Sequence, residues 1–175
     1  MMRACVIGAG PVADRLRGGL ADLGWTEADA AACDLLVWLA RPRMSDQPVD
    51  RMDLLERDLL APIACFEAMG MAVRQRDASG ELFEPRLGVA ILDLADLQTG
   101  NGDAMRASVA SALLAWLREK AAIRGAGPRL NVIACDLSGT GGAASDPMTS
   151  LAWMLSSPVV TGQLVRLGEG LATHP

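Results

Sequence analysis

The sequence predicts an α/β fold in which a parallel sheet is covered by helices on both faces. Two observations lead there. Short apolar runs alternate with segments of helical periodicity, and each run is continuous instead of alternating, as in strands buried on both sides. The first run also feeds directly into a glycine turn and then a helix, the order of a strand–turn–helix unit.

Taken in order, residues 3–7 form a short β-favouring run, Gly8-Ala9-Gly10 is the turn, and Pro11 suits a first helical position because its missing N–H would be unpaired there anyway. Val12, Leu16, Leu20 and Leu23 recur at helical spacing, and Gly24 closes that helix. A strand follows at 35–40, then a loop at 41–49. Residues 50–75 read as a long helix with Leu54, Leu55, Leu59, Ile63, Phe66 and Met69 as its apolar stripe. Pro62 cannot donate to the carbonyl of Asp58, which predicts a kink or a frayed turn there. A strand at 87–92, a polar turn at 98–103 and a helix at 104–122 come next. The chain closes with a strand at 129–134, a short helix capped by Asp146-Pro147, and a strand at 163–167. No repeat or linker interrupts this order, so residues 1–175 are expected to form one domain.

Composition excludes several kinds of chemistry. The 175 residues are 51% hydrophobic, enough for a sizeable core. There is no tyrosine, the one histidine is His174, and Lys120 is the one lysine among 16 basic residues. The net charge of −5 gives no footprint for a phosphate backbone, so nucleic acid is not an expected partner. No apolar run is long enough to span a membrane, and the N-terminal pattern is that of a strand entering a turn, which predicts a cytoplasmic protein. Cys5, Cys33, Cys65 and Cys135 are widely spaced, form no CxxC pair and lie far from the histidine; buried thiols, not a metal site, are expected.

Gly8-Ala9-Gly10-Pro11-Val12-Ala13 fits G-x-G-x-x-A, in which glycines allow a tight turn and let a pyrophosphate approach a helix N-terminus. Gly8, Gly10 and Ala13 are therefore the candidate cofactor-binding residues. The second half of that fingerprint is an acidic residue about 20 positions on, at the end of the next strand. The stretch 25–33 is rich in Ala, Asp and Glu and reads as no strand at all. The alternative role for the glycines is the turn itself and the close packing of helix on sheet.

Three further segments resemble the short-chain dehydrogenase/reductase family. Asp58-Leu59-Leu60-Ala61-Pro62 is similar to the start of the family's long central helix, where an asparagine is usual at the position of Asp58. Asn131-Val132-Ile133-Ala134-Cys135-Asp136 is similar to its N-V-I-A-P-G strand end. Ser156-Ser157-Pro158, Val160-Thr161-Gly162-Gln163-Leu164-Val165 and Gly168-Glu169-Gly170 resemble its closing T-G-Q strand and D-G-G turn, the most specific of the three matches. The resemblance implies a Rossmann-like three-layer fold, with the family's sheet order 3-2-1-4-5-6-7 reduced to about five strands, 1-4-5-6-7. The segment between Gly24 and Asp34 has no room for strands 2 and 3, which makes residues 3–7 an edge strand.

Against that resemblance, the departures are in the reactive positions. Active members use a Tyr-x-x-x-Lys pair, whose lysine lowers the tyrosine pKa so that the phenol exchanges a proton with substrate. The matching region here, 102–110, holds neither residue. No serine occurs in 87–107, Asp93 stands near the place of the family's substrate-orienting serine, and Arg41 replaces the glycine of its N-N-A-G strand end, where the cofactor would lie. The loop between Asp136 and Asp146 is too short for a substrate lid.

The sequence therefore implies a protein that is not an enzyme on its own and takes no cofactor, NAD and NADP being disfavoured. The leading expectation is a structural or regulatory subunit that pairs with an active short-chain dehydrogenase/reductase, or with itself, through the helices at about 50–75 and 104–122. A nucleotide-sensing module built on the Gly8–Ala13 turn is the alternative. A third possibility is an oxidoreductase with rearranged chemistry drawing on Asp58, Asp93 or Cys135.

Overall fold

A computed structural model describes residues 2–41, 50–78, 86–98, 103–123, 127–137, 146–157 and 159–168. The expected loop at 42–49, most of the turn at 98–103, the short loop after 137, the closing Gly168-Glu169-Gly170 turn beyond Gly168, and His174 lie outside these residues.

Six strands form one all-parallel sheet: β1 (Arg3–Ile7), β2 (Thr26–Glu27), β3 (Leu35–Leu39), β4 (Leu87–Asp93), β5 (Arg129–Cys135) and β6 (Leu164–Arg166), in the order β2-β1-β3-β4-β5-β6. The central strands β3 and β4 are buried along their whole length, as their continuous apolar sequence requires. Side chains alternate between two cores. Helices α1 (Pro11–Asp22) and α5 (Pro147–Ser156) cover the face carrying Leu35, Val37, Val89 and Ile91. Helices α3 (Ala61–Ala78) and α4 (Ala104–Ala122) cover the face carrying Leu36, Trp38, Ala90 and Leu92. The result is the expected three-layer α/β sandwich. Among the described residues no helix is long and apolar enough to cross a membrane.

One expectation fails. Arg3–Ile7 is not the sheet edge, because the two-residue β2 pairs outside it: Thr26 and Ala28 donate their N–H groups to the carbonyls of Met2 and Ala4 at 3.0 and 2.9 Å. Two residues are too short to register as an apolar run, and this is why the sequence hid the strand. It ends quickly because the chain turns back, with the Ala32 N–H on the Asp29 carbonyl at 2.9 Å.

The long helix breaks where Pro62 predicts. Helix α2 (Arg51–Leu55), capped by Asp50 on the Met52 N–H, runs into a π-turn at Glu56–Leu60 before α3 begins. The Ala61 N–H reaches back five residues to the Glu56 carbonyl. Pro62 has no N–H for Asp58, so a widened turn is the relaxed solution.

The Thr-Gly-Gln segment is also explained by backbone demands. Gly162 sits at φ 73 and gives its N–H to the Leu130 carbonyl at 2.7 Å. Fully buried Asn131 donates to the Val160 carbonyl and accepts from the Gln163 N–H, both at 3.0 Å, which locks β6 beside β5.

Near the start of β4, a Cβ on Gly88 would lie 2.8 Å from Leu130 and 2.9 Å from the Phe66 ring. Gly88→Ala is expected to cost about 1–3 kcal/mol by overpacking, read as a lower urea midpoint at unchanged slope.

Candidate functional site

The carboxyl ends of parallel strands are where open α/β sheets bind ligands, and two features meet at that rim. The first is the glycine turn after β1. Gly8 and Gly10 have φ values of 139 and 99, which other residues rarely adopt. A Cβ on Gly8 would come within 2.8 Å of the Leu39 Cβ, so the turn packs tightly on the end of β3. In front of Gly10 the space is open, with nothing described within 4 Å of where a Cβ would be, and no side chain caps the N-terminus of α1 among the described residues. Ala13 is fully buried in the core between α1 and the sheet. Of the three predicted residues, the two glycines shape the turn and Ala13 serves helix–sheet packing.

The acidic residue on the strand beside β1 sits low. In the β1–β2 register Glu27 lies beside Ala4, four residues short of Gly8, roughly 13 Å down the strand.

The second feature is a network of ion pairs at the ends of β3 and β4. Arg106, on α4, is 8% exposed and Asp96, in a 3₁₀ turn after β4, is 5% exposed. The Arg106 Nη2 lies 2.9 Å from Asp96 Oδ2, and its Nε donates to both carboxylate oxygens at 3.2 and 3.1 Å. The same Nη2 donates to the Arg41 carbonyl at 2.7 Å. The Arg41 guanidinium pairs with Asp53 at 2.9 Å and with Asp58 at 3.5 Å, and Arg57 closes on Asp53 at 2.7 Å. Asp58 sits in the π-turn, and its burial pushes its pKa up, opposed by Arg41 and Arg106.

Trp38, Leu54, Asp58, Asp96, Arg106 and Val109 enclose a space of only about 10 Å³, at or below the roughly 10–15 Å³ that one water needs. A guanidinium stays protonated at any ordinary pH and offers donors only. The arrangement holds four charged segments in place at this end of the sheet.

The sequence reading singled out Arg41 and Asp58 but missed Arg106 and Asp96. A signal was present: Arg106 shares the stripe of Val109, Ala110, Leu113 and Leu117, the buried face of α4, and a charge on such a stripe demands a buried partner. Asp93 accepts the Ala95 N–H at 3.1 Å and caps the 3₁₀ turn. Burial raises the Cys33 and Cys135 thiols to about 12, so Cys135 is no nucleophile. Cys5 and Cys65 correct the expectation of four buried thiols; both are half-buried, at the margin of the core beneath α3 and α4. No metal-ligating group of three residues occurs among the described residues.

No protein-family model and no curated protein sequence matches the chain. Solved structures match its fold. A gluconate 5-dehydrogenase from Burkholderia cenocepacia, in complex with NADP and tartrate, is 16% identical with a TM-score of 0.64, covering 99% of this chain and 96% of that one. The FolM alternative dihydrofolate reductase from Brucella suis, in complex with NADP, is 17% identical with a TM-score of 0.64 over 95% and 93%. A short chain dehydrogenase/reductase family protein is 21% identical with a TM-score of 0.57 over 94% and 83%. The chain has the short-chain dehydrogenase/reductase fold. The expectation that this scaffold takes no cofactor is thereby corrected: two of these proteins hold NADP in the same fold. That expectation had weighed a missing second strand and an intruding Arg41, whereas a short second strand exists and, among the described residues, the turn is open in front of Gly10.

Two predictions follow from this geometry. Because the folded-state pKa of Asp58 is raised, the native protein binds more protons than the unfolded chain between the ordinary carboxylate value and the raised one, so stability falls as pH rises through that interval. Asp58→Asn removes this dependence, and the Tm of the variant relative to the parent should increase from about pH 4 to about pH 7. In a thiol-labelling time course at pH ~8, Cys33 and Cys135 should stay unlabelled in the native protein, since a pKa of about 12 leaves about one thiolate in ten thousand.

Proposed function

We propose that this chain is a non-catalytic protein of the short-chain dehydrogenase/reductase fold, acting as a structural or regulatory subunit of an active enzyme with that fold. The observation that carries the reading is the Arg106–Asp96 pair with Arg41 and Asp58 around it. In the family resemblance, these residues stand in or beside the segments that supply the proton-transferring tyrosine, the asparagine of the central helix and the cofactor-facing glycine. Here Arg41, Asp58, Asp96 and Arg106 pair their charges around a space of only about 10 Å³. A chain without tyrosine has no phenol to replace them.

The partner surface in this reading is the outer side of the α2–α3 helix and α4. Met52, Leu60 and Met71 are more than half exposed there. An active short-chain dehydrogenase/reductase encoded in the same genome, or a second copy of this chain, would cover them.

A nucleotide belongs to the same reading. The open space at Gly10, the uncapped N-terminus of α1 and the NADP held by two proteins of this fold support binding at Gly8 and Gly10 through phosphate groups. When bound, a nicotinamide nucleotide supplies hydride chemistry in such folds. This chain's own contribution would be confined to the phosphate end, with backbone N–H groups at the start of α1 as donors.

Three outcomes are expected together. Co-expression with an active paralogue yields a complex that survives size exclusion. Titration calorimetry with NADP detects binding that Gly10→Val weakens at least tenfold. The purified chain with NADPH reduces no member of a carbonyl panel. A monomer that captures no paralogue overturns the subunit reading, no heat with either form of NADP overturns the nucleotide reading, and turnover by the single chain overturns the non-catalytic one.

A further inference from the structure

Carbonyls of alternate residues along β1 face the β2 side of the sheet. Those of Met2 and Ala4 accept from the Thr26 and Ala28 N–H groups. The next two on that side belong to Val6 and Gly8, and a longer β2 would supply their donors from its own backbone. That strand stops at Glu27.

The donor is instead a side chain. From the middle of α1, Arg17 brings Nη2 to 3.0 Å from the Val6 carbonyl and 2.8 Å from the Gly8 carbonyl. Its Nη1 lies 3.2 Å from Asp14 Oδ1, an exposed neighbour one turn earlier that orients the guanidinium. One nitrogen serves two oxygens that an extended strand would hold roughly 6.6 Å apart, so the end of β1 curls inward at Gly8, where φ is 139.

We propose that Arg17 is a surrogate for the missing end of β2, a positioning residue that holds the last turn of β1 and thereby sets the Gly8–Gly10 loop. Three features suit it to the task. A guanidinium is a planar fork of donors with no acceptor, matched to carbonyls in a row. Gly8 and Gly10 bring little stiffness of their own, so the loop takes its shape from what grips it. On the other side, Gly8 rests on Leu39, so Arg17 and β3 clamp the turn between them. The same contact fills the open sheet edge with a charge, which disfavours the docking of a foreign strand. The inference stands on hydrogen bonds within the chain and is independent of any nucleotide.

Hydrogen exchange read by mass spectrometry on the full chain tests it. In Arg17→Met, which keeps the bulk and removes the donors, exchange in peptides covering residues 6–10 should rise at least tenfold, while β4 and β5 exchange as in the parent. Asp14→Asn, which leaves the carbonyl contacts in place, should raise it less than threefold. Unchanged exchange at 6–10 in Arg17→Met would overturn the proposal, as would a rise of equal size across all strands. Should Arg17→Met not fold, Arg17→Lys replaces it: a rise confined to 6–10 supports the role, and parent-like exchange there contradicts it.

Discussion

A guanidinium placed on the buried stripe of a helix must find a carboxylate, because removing either member of such a pair leaves an uncompensated charge out of water. Arg106 finds Asp96, and much of the carboxyl rim is organised by that pairing. Through its second contact, to the Arg41 carbonyl, it ties α4 to the end of β3. Through the Arg41 side chain the tie extends to Asp53 and Asp58 on the broken helix α2–α3. Four segments that are distant in sequence are thus held at one end of the sheet by charges that satisfy each other.

The consequence for function is a division of the rim. At β1 the backbone turns through two glycines with positive φ and, among the described residues, leaves open space before the first helix. At β3 and β4 the corresponding space is packed by paired ions. Two solved structures with this fold hold NADP. This division is what supports the proposed reading of a scaffold that holds a nucleotide or a partner subunit.

Much of the fold was legible in the sequence because its signals are local. Continuous apolar runs located the five longer strands, Pro11 and Asp146 marked helix starts, and Pro62 marked the break that became a π-turn. What escaped notice depended on contacts across the chain. Thr26–Glu27 is a strand only because Met2 and Ala4 offer carbonyls to it. The role of Arg106 depends on Asp96 ten residues earlier and on Arg41 sixty-five residues earlier, and nothing in the residues beside it names those partners. Arg17 serves carbonyls at the end of β1, nine and eleven residues earlier, and nothing beside it on α1 names them. Gly8 and Gly10 were legible as a turn, and Ala13 as a small residue, but the openness in front of Gly10 is a property of the assembled rim.

The central claim, that a buried ion pair occupies the reaction end of this fold as structure, is tested most directly by a double-mutant cycle on Arg106 and Asp96. Equilibrium unfolding of Arg106→Met, Asp96→Leu and the double variant gives the coupling between them. Each single change should cost about 3–5 kcal/mol, and the double variant should recover most of that loss, because it leaves no charge unpaired. Single variants within about 0.5 kcal/mol of the parent, with no coupling, would contradict the claim and leave that end of the sheet available for chemistry.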